Sequence, residues 1–479
     1  MNNTNLPEAF ADLASQLFFR ASGAHAHKGN RIGILLDSTE NFPAWEKALS
    51  AARRHICIEM YIISDDAFGR RIRQILLDKL AQGVEVVLVY DWLGSLSARL
   101  SGFFKPLAAA GAQVYAYNPP TWTSGLGLIS RNHRKSLIID GETAFVSGLC
   151  ISAAWQGNPK RGISAWRDTG LRLEGCAVGD ISAAFADTLK LLGGTMPAGI
   201  GHPPPCGQSS ARILATTPEN ANTMRLDLNL IGMARRNLWL TDAYFMPTRL
   251  YVQALANAAQ AGVDVRILVP RTSDIKWIST VSRTHYRRLL EAGVRVFEWN
   301  GTMLHAKSAL MDGQWARVGS TNLNPASWYI NRELDISIED PAVVCELERI
   351  FLHDLTFSTE LVLDEKARIR LLRQRKKHYF GRKGGRMMGV VRQAAQLGHI
   401  FDAETRLVAP SEAWAYFSIG TAVLLLAALL WLMPQIILWP LYFLLAAGGA
   451  GMVVRSLGQL ARLHKKQKSA CQPNDGKEK

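Results

Sequence analysis

The sequence predicts an α/β protein made of two copies of one sheet-and-helix unit, followed by an apolar helical hairpin. Two observations predict the duplication: segments early in the chain recur about 180 residues later, and one motif of reactive residues occurs once in each copy. A third observation, an uncharged run of 42 residues from 413 to 454, predicts the hairpin. The length of 479 residues exceeds what one core usually supports, which agrees with a duplicated domain.

Three pairs of segments carry the duplication. In each pair an apolar, β-branched run matches its counterpart at a separation of 179 to 182 residues. The pairs begin at Ala52 and Ala234, at Gly83 and Gly262, and at Gly111 and Gly293. Because the separation is nearly constant, we interpret the segments as two copies of one unit and not as chance similarity.

Within each copy, a strand is followed by a helix and then by another strand. In the first copy a helix is predicted over residues 70–81, because its apolar residues form one stripe: Ile72, Ile75, Leu76 and Leu80. This alternation is typical of a sheet covered by helices. Two such units can pack about a pseudo-twofold axis, which brings equivalent residues into one cleft. We therefore expect catalytic residues to occur in pairs.

Paired residues of this kind are present in the pattern HxKxxxxD. They are His133, Lys135 and Asp140 in the first copy and His305, Lys307 and Asp312 in the second. Residues two apart in a strand project from the same face, so each histidine and its lysine should reach the same cleft. One such pattern arises easily by accident, but two at equivalent places in a duplicated chain indicate a catalytic site. Asp140 and Asp312 each precede a glycine, so the alternative for these two residues is that they cap a turn at the end of the strand.

The pattern favours reaction at a phosphodiester without a metal ion. A phosphodiester carries a negative charge, which Lys135 and Lys307 would offset. One neutral imidazole can attack phosphorus to form a phosphohistidine, while the other donates a proton to the leaving alcohol and then deprotonates the incoming one. Neither motif has a neighbouring cluster of His, Asp and Glu at the spacing of metal ligands, so we expect no metal and no other cofactor.

These residues resemble the two HKD motifs of the phospholipase D superfamily, and most closely those of its bacterial cardiolipin synthase branch. The resemblance covers about residues 30 to 355. It includes the segments 59–66, 90–95, 166–168, 297–299 and 319–323. It implies two phospholipase D-like halves that share one active site, in which one histidine is the nucleophile and the other the acid and base. The resemblance favours His133 as the nucleophile.

The resemblance also implies supporting residues. It makes Ser320 and Asn322 contacts to the phosphate, and it places an acidic residue downstream of each motif to orient its imidazole, at Asp168 and Glu333. The chain departs from the family pattern at Cys150, which stands where the first half should have an asparagine. We therefore expect one amide contact to the phosphate to be lost.

The uncharged run is divided near its middle by Met433, Pro434 and Gln435. Since about 20 apolar residues cross a bilayer, the run predicts two transmembrane helices joined by a tight turn. A re-entrant hairpin and a buried soluble hairpin are the alternatives. The flanking segments 366–392 and 455–468 are rich in Lys and Arg, which places both in the cytoplasm beside an anionic membrane surface.

Most of the formal net charge of +15 belongs to these basic C-terminal segments, so a nucleic-acid-binding face on the body is not expected. Six scattered cysteines fit a reduced catalytic body that faces the cytoplasm at the inner membrane. The predicted segments are an N-terminal extension (1–29), the first half (30–200), the second half (201–364), a basic linker (365–412), the hairpin (413–454) and a basic tail (455–479).

The leading hypothesis for function is transfer of a phosphatidyl group from one phospholipid to the alcohol of another, which gives cardiolipin. Phosphatidylglycerol is the expected substrate, with phosphatidylethanolamine as a further one. The alternatives are a hydrolytic phospholipase D, a nucleic-acid phosphodiesterase and a non-catalytic lipid-binding scaffold. The apolar hairpin argues for a lipid substrate, and the intact pairs of histidine and lysine argue against a scaffold. The sequence leaves the oligomeric state open.

Overall fold

The structure is a computed structural model that describes residues 15–120, 129–364 and 369–371. The chain divides into two compact units, Met1–Asp402 and Ala403–Lys479, and every described residue belongs to the first. The predicted hairpin at 413–454, the basic tail and most of the basic linker lie outside the described residues. Within the described ranges, no helix combines the length and the apolar character needed to cross a membrane.

The elements alternate along the chain as the sequence predicts. The strands are β1 (Ala26–Leu36), β2 (His55–Met60), β3 (Glu85–Asp91), β4 (Gln113–Tyr117), β5 (Lys135–Ile139), β6 (Thr143–Ser147), β7 (Thr169–Glu174), β8 (Ser209–Thr216), β9 (Asn237–Thr241), β10 (Asp264–Pro270), β11 (Arg295–Trp299), β12 (Ser308–Met311), β13 (Trp315–Gly319), β14 (Glu333–Ile338), β15 (Ser358–Leu363) and β16 (Ile369–Leu371).

Helix α1, described over residues 15–22, precedes β1, and the other helices lie between strands. The others are α2 (Asp37–Ala51), α3 (Ala67–Ala81), α4 (Leu96–Leu100), α5 (Lys105–Ala109), α6 (Val178–Leu191), α7 (Asn222–Met233), α8 (Arg249–Gln260), α9 (Lys276–Glu291), α10 (Pro325–Tyr329) and α11 (Pro341–Thr356).

The described strands form one mixed sheet whose order confirms the duplication. From the centre outward, the first half runs β1-β7-β6-β5-β2-β3-β4, and the second runs β8-β14-β13-β12-β9-β10-β11. Each strand of one half therefore has a counterpart at the same position in the other. The halves meet where β1 pairs antiparallel with β8. Strands β15 and β16 extend the outer edge of the second half, beyond β11.

Helix α3 illustrates how the sequence sets one of these elements. It begins at Ala67 because the carboxylate of Asp66 accepts hydrogen bonds from two backbone N–H groups of the first turn. Ile72 and Leu76 of the predicted stripe are buried against the core. The helix ends just before Gly83, whose φ of +82° is a conformation that glycine adopts without strain.

The apolar core lies on both faces of the sheet. One cluster is continuous across the two halves and includes buried residues of α6 and α11, which hold equivalent positions after β7 and β14. A separate cluster covers the opposite face of each half. Because the middle strands are buried on both faces, apolar residues can follow one another without alternation, as they do over residues 86–90 of β3. The shared core fixes the two halves against each other, and the active-site candidates lie between them.

Candidate active site

The histidines of the two motifs line one pocket, as the duplication predicted. His133 lies two residues before β5, which begins at Lys135, and His305 lies three residues before β12. Strands β5 and β12 occupy equivalent places in the sheet. Strand β5 pairs antiparallel with β2, and β12 pairs antiparallel with β9. The pocket wall contains residues from both halves, including Tyr61, Trp166, Tyr244 and Asn322.

Backbone contacts between the halves hold each histidine in place. The N–H of His133 donates to the carbonyl oxygen of Arg332 at 2.9 Å, next to a bridge that pairs Asn132 with Arg332. The N–H of His305 donates to the carbonyl oxygen of Arg167 at 2.7 Å, next to an equivalent bridge. Each histidine is therefore fixed to the residue that immediately precedes an acidic residue of the other half.

The acidic residues orient the imidazoles across the interface between the halves. His133 Nδ1 lies 2.8 Å from Glu333 Oε2, and His305 Nδ1 lies 2.8 Å from Asp168 Oδ2. The sequence predicted that each acid would serve the motif upstream of it in its own half, and the structure pairs them the opposite way. An ionised carboxylate only accepts hydrogen bonds, so Nδ1 carries the proton and Nε2 is left for the substrate.

Burial controls the protonation of both imidazoles. It lowers the pKa of His133 to about 4, against the raising effect of Glu333 and together with the lowering effect of Lys135. It also lowers the pKa of His305 well below its ordinary value, and the charges of Lys307 and Lys135 act in the same direction. Both imidazoles are consequently neutral near pH 7 in the protein without substrate, which is the state in which a histidine can act as a nucleophile.

The two lysines are held beside their histidines by equivalent contacts. Lys135 Nζ donates to the carbonyl oxygen of His133 at 2.5 Å, and Lys307 Nζ donates to the carbonyl oxygen of His305. Each ammonium group also lies over a tyrosine ring, 5.2 Å from the centroid of Tyr61 for Lys135 and 5.8 Å from that of Tyr244 for Lys307. Burial lowers the pKa of Lys307 to about 8, while Asp168 raises it.

The structure separates the two residues that were expected to contact phosphate. Asn322 lines the pocket, and no described group donates a hydrogen bond to its buried Oδ1. Ser320 does not line the pocket. Its hydroxyl donates to Glu333 Oε2 at 2.6 Å and accepts from the backbone N–H of Leu334 at 2.9 Å. Ser320 therefore acts on the carboxylate that orients His133.

Cys150 lies where the sequence placed it. It lines the same pocket as Asn322, its counterpart 172 residues later. At the same separation, Gly148 corresponds to Ser320. A Cβ on Gly148 would be 2.4 Å from Asp168 Oδ1, so this position cannot carry a serine without displacing that carboxylate. The two halves thus differ at both supporting positions.

The acidic residues of the two motifs do not line the pocket, which agrees with the turn-capping alternative and not with a part in catalysis. Asp140 accepts hydrogen bonds from the backbone N–H groups of residues 53, 54 and 55, and Asp312 accepts from those of residues 235, 236 and 237. Burial raises the pKa of Asp140, but these hydrogen bonds outweigh it and hold the pKa below its usual value. Both residues fasten the repeated Ala-Arg-Arg segment that precedes β2 or β9.

Sequence reasoning missed the aromatic side chains around the imidazoles. The ring of Tyr61 lies 4.9 Å from that of His133, and three rings lie within 6 Å of His305: Trp155, Trp166 and Tyr244. A signal was available, because Tyr61 and Tyr244 occupy equivalent places in the repeat. Among the described residues, one trio has side chains that could hold a metal ion (His27, Asp180 and His202), and none of the three lines this pocket.

Comparison with known proteins adds family relationships to this geometry. The family model described as "Cardiolipin synthase, PLD-like domain" matches residues 45–154 and 228–355, and these two segments contain the two motifs. Cardiolipin synthase A of Pseudomonas aeruginosa is 33% identical over 355 residues, which cover 72% of this chain and 71% of that protein. A cardiolipin synthase of Geobacillus kaustophilus is 31% identical over 349 residues, 71% of this chain and 69% of that protein.

A solved structure shares the fold. The phosphatidylserine synthase of Haemophilus influenzae aligns with a TM-score of 0.58 at 15% identity and covers 73% of this chain and 92% of that one. At this level of identity the likeness concerns the fold alone.

Proposed function

This chain belongs to the cardiolipin synthase family with a phospholipase D-like domain, and we propose that it transfers a phosphatidyl group between two phospholipids to form cardiolipin. One observation carries the proposal: His133 and His305 share one pocket, and each is held through Nδ1 by a carboxylate of the other half. Such a pair can accept a phosphoryl centre and manage the proton of the alcohol on either side of it.

In the first step, Nε2 of His133 attacks the phosphorus of phosphatidylglycerol. The bond from phosphorus to the headgroup oxygen breaks, and His305 gives a proton to that oxygen, which releases glycerol. A positive charge develops on His133 as the phosphorus–nitrogen bond forms. Two features support this assignment. His133 is neutral near pH 7 because burial lowers its pKa, and the carboxylate of Glu333 stabilises the charge that develops.

To act as the acid, His305 must first be protonated. Burial and the positive charges of Lys307 and Lys135 disfavour that protonation, because they lower the pKa of the imidazole. The negative charge of the bound phosphodiester offsets the charges of Lys135 and Lys307, which removes part of that penalty. Binding of the anionic substrate therefore charges the acid that the reaction needs. Asn322 lies in the pocket wall with an amide that can donate to a phosphate oxygen.

In the second step, neutral His305 removes the proton from a hydroxyl group of a second phospholipid. The resulting oxygen attacks phosphorus, and the bond to His133 breaks, which completes cardiolipin and restores the enzyme. Water in place of the lipid alcohol would give phosphatidic acid through the same intermediate. The aromatic residues that surround His305 make that part of the pocket wall apolar, which favours a lipid alcohol over water.

The membrane is the proposed location of this reaction. The predicted hairpin at 413–454 would insert the chain in the inner membrane, with the catalytic body on the cytoplasmic side. The basic segments 366–392 and 455–468 would lie on anionic headgroups. This arrangement keeps the active site next to its lipid substrates.

The test is expression in bacteria that lack their own cardiolipin synthases, with the lipids profiled by mass spectrometry. We expect cardiolipin from the wild-type chain and none from the matched His133→Ala and His305→Ala variants. Phosphatidic acid without cardiolipin would indicate hydrolysis, and an unchanged lipid profile would refute phosphatidyl transfer.

A further inference from the structure

A second cluster of functional side chains lies outside the catalytic pocket. His27 belongs to β1, Asp180 to the first turn of α6, and His202 to the connection between α6 and β8 that joins the two halves. One donor atom from each residue lies within 4.8 Å of the other two. We propose that these three side chains bind a divalent transition metal ion, preferentially zinc, which fastens the connection to the first half.

The donor set and its spacing suit zinc. Two imidazoles and one carboxylate are ligands that zinc binds in proteins. His27 Nε2 lies 2.9 Å from Asp180 Oδ2, and His202 Nε2 lies 3.8 Å from Asp180 Oδ1. Zinc–ligand bonds of about 2 Å at tetrahedral angles place neighbouring donors about 3.3 Å apart. These two separations, which end on different oxygens of Asp180, lie on either side of that value. One donor atom from each residue lies within 4.8 Å of the other two, so side-chain movements of an ångström or so would bring the three donors to one ion.

The imidazole of His202 is already oriented for metal binding. Its Nδ1 lies 3.0 Å from the carbonyl oxygen of Cys176, to which it donates its proton. Metal-binding histidines almost always donate the other ring N–H to such a partner, which leaves the remaining nitrogen for the metal. Here that nitrogen is Nε2, the atom nearest to Asp180.

The backbone of α6 makes room for this ring. A Cβ on Gly179 would be 2.3 Å from Nδ1 of His202, so glycine at position 179 permits the imidazole to approach the first turn of the helix. The connection is also held to β1 a few residues later, where the N–H of Cys206 donates to the carbonyl oxygen of Gly29 at 2.9 Å. His202 therefore stays within reach of His27, which lies on the strand that pairs with the second half.

The test uses the purified full-length protein after its metals have been removed with EDTA and the EDTA has been dialysed away. Zinc retained per chain is measured by plasma mass spectrometry after addition of micromolar zinc chloride, and Tm is measured with and without the ion. We expect one zinc ion per chain and a higher Tm, because an ion that binds only the folded state stabilises it. His27→Ala and His202→Ala should each weaken zinc binding by at least about tenfold. His353→Ala, in the last turn of α11, is the matched control and should bind as the wild type does.

Gly179→Ala separates loss of the site from loss of the fold. The added methyl group displaces the ring of His202, whereas alanine is favoured over glycine within a helix. We expect a metal-free Tm at or above that of the wild type, together with the loss of the zinc response. The proposal is overturned if the wild type retains no zinc at micromolar concentration. It is equally overturned if Gly179→Ala and His202→Ala both bind zinc as tightly as the wild type.

Discussion

The two halves present equivalent histidines to one pocket, but they support them with different residues, and Lys135 lines that pocket whereas Lys307 does not. In the second half, the hydroxyl of Ser320 donates to Glu333, and Asn322 lines the pocket. The corresponding positions of the first half are Gly148 and Cys150, which offer neither the hydroxyl nor the amide. The duplication has therefore conserved the reacting groups while their surroundings diverged.

The two carboxylates that contact the imidazoles also differ in pKa. Burial raises the pKa of Glu333, but the contacts with His133, the charge of Lys135 and the hydrogen bond from Ser320 together outweigh it and hold the pKa below its ordinary value. For Asp168, burial prevails over the lowering effect of Lys307 and raises the pKa to about 6. A carboxylate that stays ionised stabilises positive charge on the imidazole beside it, and Glu333, beside His133, is the more acidic of the two. The difference in pKa agrees with the proposal in which His133 is the nucleophile and His305 the acid and base.

The largest effect should come from the two histidines, which we expect to fail at different steps. His133→Ala should form no phosphoenzyme with any substrate. His305→Ala should still be phosphorylated by a substrate with a good leaving group, such as a nitrophenyl phosphodiester, and then stall because no base activates the acceptor. Turnover should fall by about 10²- to 10⁴-fold for loss of the proton-transfer group.

Intact-protein mass spectrometry after exposure to the activated substrate distinguishes these outcomes. An adduct on His133→Ala and none on His305→Ala would reverse the assignment. Adducts on both variants, or on neither, would refute the division of roles.

The next effect tests why the supporting residues differ. Gly148→Ala should lower kcat by about 10²-fold, because its Cβ displaces Asp168 from His305 and misplaced catalytic groups are costly. Ser320→Ala removes one hydrogen bond to Glu333 and should cost about tenfold. Both are measured with a short, soluble phosphodiester, with circular dichroism as the control for folding. A larger loss in Ser320→Ala than in Gly148→Ala would contradict this ranking.

A reciprocal exchange tests Cys150 and Asn322, which correspond to each other in the two halves. Asn322→Cys should lower kcat by about tenfold, since it removes an amide that can donate to the phosphate. Cys150→Asn should raise kcat by up to about tenfold, because it supplies the missing amide. Steady-state kinetics on the same substrate measure both. A loss of activity in Cys150→Asn with an intact fold would mean that the thiol is required.

A smaller effect, on stability and not on rate, is expected at Asp140 and Asp312, which make equivalent contacts in the two halves. Asp140→Ala and Asp312→Ala each remove a carboxylate that accepts three backbone hydrogen bonds, so each should lower the free energy of unfolding by about 2 kcal/mol. Their kcat at a temperature well below unfolding should stay near that of the wild type. Urea unfolding monitored by fluorescence measures the stability. Loss of kcat by more than about 10²-fold in a folded variant would restore the catalytic role predicted from the motif.

No effect on rate is expected from metal removal. The reaction takes its positive charge from Lys135, Lys307 and an imidazolium, so the initial rate in EDTA should equal that without it. An inhibition by EDTA that added metal reverses, in protein that circular dichroism shows to be still folded, would show that the chemistry depends on an ion.

The sequence was sufficient for the duplication, the paired histidines and the position of Cys150, because each of these depends on residues that recur at a constant separation. The sequence could not predict the crossed carboxylates, that is, the contacts of Glu333 with His133 and of Asp168 with His305, each between opposite halves. Separation along the chain places Asp168 nearer to His133, whereas the bridge between Arg167 and Leu304 brings Asp168 to His305. That pairing exists only after the halves have packed.

Three other residues of the predicted site lie away from the pocket for local reasons. The motif pattern does not distinguish an aspartate that reacts from one that fastens a turn, although Asp140 and Asp312 both precede a glycine, a common turn signal. Ser320 was expected at the phosphate because the family resemblance implied that contact. The strand that ends at Gly319 instead places its hydroxyl beside Glu333. The membrane hairpin at 413–454 lies outside the described residues and stays a prediction.

The crossed carboxylates have a consequence for how such a chain can arise and change. A single half has a histidine and a lysine, but the group that orients its imidazole belongs to its neighbour. One half alone would therefore be an incomplete enzyme, although two identical copies related by a twofold axis would complete each other. Once the copies are fused and differ, neither can be lost or replaced separately, because each contains the residue on which the other's histidine depends. The two halves must for this reason be inherited together, and a substitution at either carboxylate acts on the histidine of the opposite half.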